Sequence, residues 1–243
     1  MMRFLAQKID GKITLDFVFA LQESQRYFKW RNNPFTLRLV NIVPNNLKKD
    51  YIPVGTIEFV KSYIEKYYPN KIAGLVPLNV PKPLIGWAGR EVYDIVDLSY
   101  IYTSGFKLGD EIYRKSITTI KDPTNGYLFY NNPDDLIGYQ VSSIIHPEIL
   151  SEWRVFVYKN KPQQVCFYSG DPLVFPDSKI ISTMIDSYSD ESPVAYTLDV
   201  YVNNKGTFVL ECHRFFSCGL YGFSDYRILP YMFSQGWFEM MQL

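Results

Sequence analysis

The sequence is poor in the features that mark several large classes of protein. Only three cysteines occur in 243 residues, and these are Cys166, Cys212 and Cys218. Their number is odd and none has metal-pair spacing, which argues against a disulfide framework and suits a reducing compartment. They read as small apolar residues. Neither charge sign is in excess, because 25 Lys plus Arg balance 25 Asp plus Glu. Without a global basic field the chain cannot hold nucleic acid or an anionic membrane non-specifically, so an anionic ligand must meet a local cluster. No apolar run approaches the ~18 residues of a membrane span. The opening MMRFLAQKIDGK also lacks a signal-peptide core. The expectation is a cytoplasmic chain with no membrane segment. Repeats and low-complexity tracts are missing, which sets aside solenoids and disordered tails.

What is present is apolar and aromatic. The chain is 47% apolar, enough for a sizeable core, and its 20 Tyr and 17 Phe alternate within strand-like runs as sheet packing would require. Phe4 to Ile9 and Ile13 to Phe19, divided by Asp10-Gly11, read as a hairpin or two neighbouring strands. From Thr56, the positions Ile57, Val60, Ile64 and Tyr67 have helical spacing that stops at Pro69-Asn70. The run VPLNVPKPLIGW can continue neither a helix nor a central strand and reads as a connection between two lobes.

From about residue 96, strand and helix signals alternate. Glu111 to Thr118 reads as a strand carrying Arg114 and Lys115, KDPTNG (121–126) as a flexible loop, and Tyr127 to Tyr130 as the next strand. Ser151 to Ser169 reads as a hairpin turning at Lys159 to Pro162. Asp177 is placed to cap a helix with Ile180, Ile181, Met184 and Ile185 as its stripe, and the pattern from Leu229 to Leu243 is helical but broken at Gly236.

The stretch YTLDVYVNNKGTFVLECHRFFSCGLYG (196–222) concentrates the chemistry. A three-residue loop at Asn204-Lys205-Gly206 would set Asp199 directly across from Glu211. Alternation then puts His213 beside Glu211 and turns Phe208, Leu210 and Cys212 toward a core. Opposed carboxylates repel one another unless a cation or a shared proton intervenes. A divalent metal with oxygen ligands, magnesium or manganese, would supply that cation. Acidic residues on a solvated hairpin are common, so the pattern alone leaves that simpler reading open.

These residues resemble the ATP-grasp superfamily, where a late aspartate strand precedes a strand ending in Glu-x-Asn. Here LDV and VLECH carry Asp199, Glu211 and His213, with histidine standing where asparagine is usual. Imidazole is a softer ligand that titrates near neutral pH and favours manganese or zinc. EIYRKSITTIKDPTNG resembles the strand and loop covering the ATP phosphates, with Lys115 and Lys121 as phosphate-binding lysines. YQVSSIIHPEILSEWRVFV resembles the interlobe hinge, with Glu152 facing ribose and Arg154 facing the transferred phosphoryl group or an acyl phosphate. EWRVFV, LECHRFFSCGLYG, FLAQKIDGKITLDFVFAL and IPVGTIEFV together resemble small phage-type ATP-grasp domain proteins of unassigned substrate.

The resemblance implies an α+β, ATP-grasp fold: two α/β lobes clasping a nucleotide in residues 96–243, preceded by a smaller pre-ATP-grasp-like α/β domain in residues 1–95. It implies an ATP-dependent carboxylate–amine ligase. Lys115 and Arg154 would be catalytic, Lys115, Lys121, Glu152 and Arg154 would bind ATP, and Asp199, Glu211 and His213 would bind Mg2+ or Mn2+. The partners would be a carboxylate and a nucleophile acceptor, either of them a small molecule, a peptide or a protein. Arg90 is a candidate carboxylate anchor, Arg214 a further anion binder, and His146 reads as a surface turn residue. A nucleotide-binding or interaction module without catalysis remains the alternative. A lysine nucleotidyltransferase would need Lys-x-Asp-Gly, which Lys121-Asp122-Pro123 does not supply.

Overall fold

In the computed structural model, which describes residues 2–9, 15–47, 49–145 and 148–242, three sheets carry the fold. The first is parallel. Strand β1 (Arg3–Gln7) lies between β2 (Thr36–Val40) and β3 (Ile52–Val54), and its Phe4, Leu5 and Ala6 are wholly buried, as expected of a strand covered on both faces. The chain then enters helix α1 (Asp16–Trp30), so the second strand expected at Ile13 to Phe19 does not form. Phe17, Val18, Leu21, Ser24 and Phe28 are buried at the period of a helix, and that longer stripe outweighs the short apolar run at its start. Residues 10–14 of that expectation lie outside the described residues, as does His146. Helix α2 (Ile57–Tyr67) has the predicted bounds, and Thr56 caps it by accepting the Phe59 N–H at 3.3 Å.

The second sheet is antiparallel, in the order β4 (Val92–Ile95), β7 (Tyr139–Ser143), β5 (Glu111–Ser116) and β6 (Gly126–Phe129). It therefore begins on the N-terminal side of residue 96. A short helix, α3 (Leu98–Thr103), joins β4 to β5.

The third sheet is antiparallel too, in the order β11 (Gly206–Arg214), β10 (Ala195–Asn203), β8 (Ser151–Tyr158) and β9 (Lys161–Gly170). Every residue of β10 is buried. Helix α4 (Ser178–Tyr188), capped by the Asp177 carboxylate, packs Ile181, Met184 and Ile185 against one face of this sheet. Helix α5 (Leu229–Gln242) packs on the other side, in a core shared with β1, α1 and α2. It runs unbroken through Gly236, contrary to the sequence expectation. A Cβ there would stand 3.1 Å from the Phe215 carbonyl oxygen, so the glycine serves a close approach rather than a helix stop. None of the described helices is long and apolar enough to cross a membrane.

The β10–β11 hairpin departs from expectation in an instructive way. Its loop has two residues, because Asn203 pairs with Gly206, which by itself would place Asp199 opposite Leu210. A register shift between Asp199 and Val200 inserts one extra residue and restores the Asp199–Glu211 pair. The bulge also changes which side chains enter the core: Val209 and Cys212 are fully buried there, whereas Phe208 and Leu210 are only half-buried.

Candidate active site

Asp199, Glu211 and His213 present their ligand atoms within 4.8 Å of one another. Asp199 is 1% exposed and Arg154, its partner on the neighbouring strand, is 6% exposed. The Arg154 guanidinium donates from Nε and Nη2 to the two Asp199 oxygens at 2.8 and 2.6 Å, and from Nη1 to the Gly219 carbonyl at 3.0 Å. The anionic partner that an arginine in the apolar run EWRVFV requires is thus a residue of the protein itself. Tyr221 lies 5.0 Å from the guanidinium and stacks on Tyr168, whose hydroxyl donates to Glu152 at 2.8 Å. Tyr221 has a left-handed φ of 46° in a stretch flanked by Gly219 and Gly222.

Lys115 reaches across from β5 and forms an ion pair with Glu211 Oε2. The other Glu211 oxygen lies 3.0 Å from His213 Nε2, which is also 3.7 Å from Asp199. Burial lowers the Lys115 ammonium to about 8, against the opposing pull of Asp199. Burial, aided by the Lys115 and Arg154 cations, lowers His213 to about 4, so its imidazole is neutral at pH 7 and keeps a lone pair. Arg154 is raised above its ordinary value, because the Asp199 pair outweighs the burial that opposes its charge. Two carboxylates and a neutral imidazole at this spacing fit a divalent cation.

Two cavities meet at the Lys115–Glu211 pair. The first, about 360 Å3, lies between the second and third sheets and includes Val80, Tyr113, Ile144, Ile149, Glu152 and Leu210 in its wall. Arg90, Lys115, Gln140 and Glu211 also line it, so its wall mixes apolar and polar groups. The second, about 410 Å3, is lined by Lys121, Arg154, His213 and Arg214 together with Ile57 and Ser217. Of the site residues read from the sequence, Lys115 and Glu211 line both cavities, Glu152 lines the first, and Lys121, Arg154 and His213 line the second, with Asp199 buried behind them.

Two other arginines border the cavities. Arg90 lines the first and donates to the carbonyls of Ala88, Val209 and Leu210 at 3.0 to 3.2 Å, so it also holds the hairpin bulge. Arg214 lines the second cavity, and its Nε is buried without a hydrogen-bond partner among the described residues.

The loop that follows β5 is tethered from below. Arg114 donates to the Thr124 and Asp135 carbonyls and covers the Tyr139 ring, and Asn125 Oδ1 accepts the Ser116 N–H at 2.7 Å. Cys218 borders the second cavity, where burial pushes its thiol up to about 12 and so disfavours the thiolate at neutral pH. Sequence reasoning missed Asn79, Gln140, Tyr168 and Tyr221. Only Tyr221 carried a signal, an aromatic residue set in a glycine-flanked turn.

Residues 130–230 match a family model described as an ATP-grasp domain. A comparison with curated proteins gives no significant match. Among solved structures, a RimK domain protein ATP-grasp from Sphaerobacter thermophilus aligns with a TM-score of 0.50 at 13% identity, over 98% of this chain and 97% of that one. A carboxyaminoimidazole synthetase from Staphylococcus aureus aligns with a TM-score of 0.51 at 10% identity, over 95% and 78% of the two chains. The ATP-grasp ligase PsnB, complexed with minimal precursor, Mg and ADP, gives a TM-score of 0.50 at 10% identity, over 97% and 99%. The chain has the ATP-grasp fold, and its residues 130–230 carry the match to the ATP-grasp domain model.

Proposed function

We propose that the protein is a cytoplasmic ATP-dependent ligase that activates a carboxylate as an acyl phosphate for attack by an amine or another nucleophile. The observation that carries this reading is the convergence of Asp199, Glu211 and His213 with Lys115 and Arg154 where two cavities meet. Residues 1–95 act as the N-terminal α/β unit and residues 96–243 as the nucleotide-binding unit, although β4 already pairs within the second sheet. The first cavity takes adenine and ribose, with the Glu152 carboxylate accepting from ribose hydroxyls. Lys115 and Lys121 meet the phosphates. Asp199, Glu211 and His213 would hold Mg2+ or Mn2+, which would neutralise phosphate charge.

In the first step a substrate carboxylate oxygen attacks the terminal phosphorus and the bond to ADP breaks. In the second, the acceptor attacks the acyl carbon and inorganic phosphate leaves. Both steps depend on in-line positioning and on neutralising crowded negative charge, more than on a protein nucleophile. Three of the five Arg154 N–H groups are engaged within the protein, which leaves donors for the transferred group. The loop over the second cavity, residues 121–126, closes on the phosphates and excludes water that would hydrolyse the acyl phosphate.

One observation favours a catalytically silent nucleotide-binding module. The protein's own Lys115 and Arg154 already balance both carboxylates, so the site holds together without a metal. Turnover separates the two readings. Carboxylates, including peptide carboxylates suggested by the precursor bound to PsnB, would be screened for ADP release with Mg2+ and a nucleophile present. A condensed product of the expected mass supports the ligase. Calorimetry that detects no binding of AMPPNP with Mg2+ would sink both readings.

A further inference from the structure

Asn79 has no assigned role, yet it lines both cavities and is 3% exposed. Its backbone carbonyl accepts the Cys212 N–H at 2.6 Å, and its side-chain Nδ2 donates to the Ser116 carbonyl at 2.9 Å. Cys212 follows Glu211 in β11, and Ser116 follows Lys115 in β5. One residue thus bridges the second and third sheets a single step from each member of the Lys115–Glu211 pair. Val80 reinforces the bridge, because the Gln140 side-chain amide exchanges two hydrogen bonds with its peptide at 2.9 Å, and Gln140 is the register partner of Lys115. Ser116 passes the connection on, since its N–H is held by Asn125 in the loop over the second cavity.

The residue type suits the task. Asn79 sits at φ 50°, a left-handed conformation that asparagine and glycine tolerate better than other residues. Its Oδ1 is buried without a hydrogen-bond partner among the described residues, an arrangement that disfavours folding. An asparagine that carries this penalty is better explained by what its Nδ2 holds than by stability.

We propose that Asn79 is a positioning residue that sets Lys115 and the phosphate loop in register with the Glu211 strand. The inference rests on the nucleotide-site reading, and it concerns the phosphate tail rather than the adenosine end. Asn79→Gly keeps the left-handed backbone available and removes the tie to Ser116 with its side chain. Asn79→Asp keeps the shape and removes the donor but adds an acidic group, so Asn79→Gly is the variant that tests the tie without a new charge. Calorimetry of the full chain with adenosine, and separately with AMPPNP and Mg2+, tests the assignment. Both variants are expected to bind AMPPNP about tenfold more weakly, the scale of one lost hydrogen bond, with adenosine weakened less. A purely structural role would weaken both ligands together. Equal losses for the two ligands, or wild-type AMPPNP affinity in either variant, overturn the inference. A parent protein that binds neither ligand overturns the nucleotide site itself and this inference with it.

Discussion

At the scale of single residues, the charges of the cleft hold one another in place. The Arg154–Asp199 pair is almost wholly buried and bidentate, so removing one partner strands the other in a medium that solvates it poorly. Breaking such a pair typically costs roughly 3–5 kcal/mol. Asp199→Asn should therefore lower the free energy of unfolding in urea by about 3 kcal/mol, and an unchanged midpoint would mean that the pair contributes little. His213 makes a prediction of a different kind. Its folded-state pKa of about 4 lies below the 6.5 of an ordinary imidazole, so between those values the unfolded chain binds a proton that the folded chain declines. The His213 contribution to stability should fall as pH drops through that window and be level above it. His213→Asn is expected to flatten this slope in metal-free protein, and identical pH–stability curves for the two proteins would contradict the assignment.

At the scale of elements, the β10–β11 hairpin shows what a sequence reveals and what it conceals. A three-residue loop read from the sequence placed Asp199 across from Glu211, but that loop does not form, and the same pairing arises from a two-residue turn and a bulge. The turn residues do not encode that bulge. Arg90 holds its Val209 and Leu210 carbonyls from 119 and 120 residues upstream, a contact no local pattern records. The same limit explains α1, where an apolar start looked like a strand until the buried stripe was followed to Phe28, and α5, where Gly236 answers a contact with Phe215. Strands and helices with strong local periods, such as α2, α4 and the β8–β9 hairpin, were legible within a residue or two. Because side chains alternate, deleting Leu210 should remove the bulge while leaving Glu211 opposite Asp199 and His213 on the same face. The variant is expected to fold and to keep Mg2+-dependent AMPPNP binding by calorimetry, and lost binding would show that the bulge itself positions these ligands.

At the scale of the whole molecule, the burial pattern says which part is free to respond to a ligand. The parallel sheet, α5 and residues Phe156, Tyr158 and Ala195 of the third sheet share one core, whereas the second sheet closes its own around Ile95, Ile101, Ile112, Leu136 and Val141. The first cavity lies between these bodies, so a nucleotide filling it adds contacts to both that the unfolded chain cannot make. Binding to the folded state alone at a hundredfold excess over Kd stabilises by about 2.7 kcal/mol. For a chain of this length that corresponds to a rise in Tm of about 5–10 °C with AMPPNP and Mg2+. Since β5, β7 and the loop of residues 121–126 belong to the smaller body, their amides should show the greatest slowing of hydrogen exchange. Protection confined to β1, β2 and β3 would instead place the ligand against the parallel sheet, away from Lys115 and Glu211.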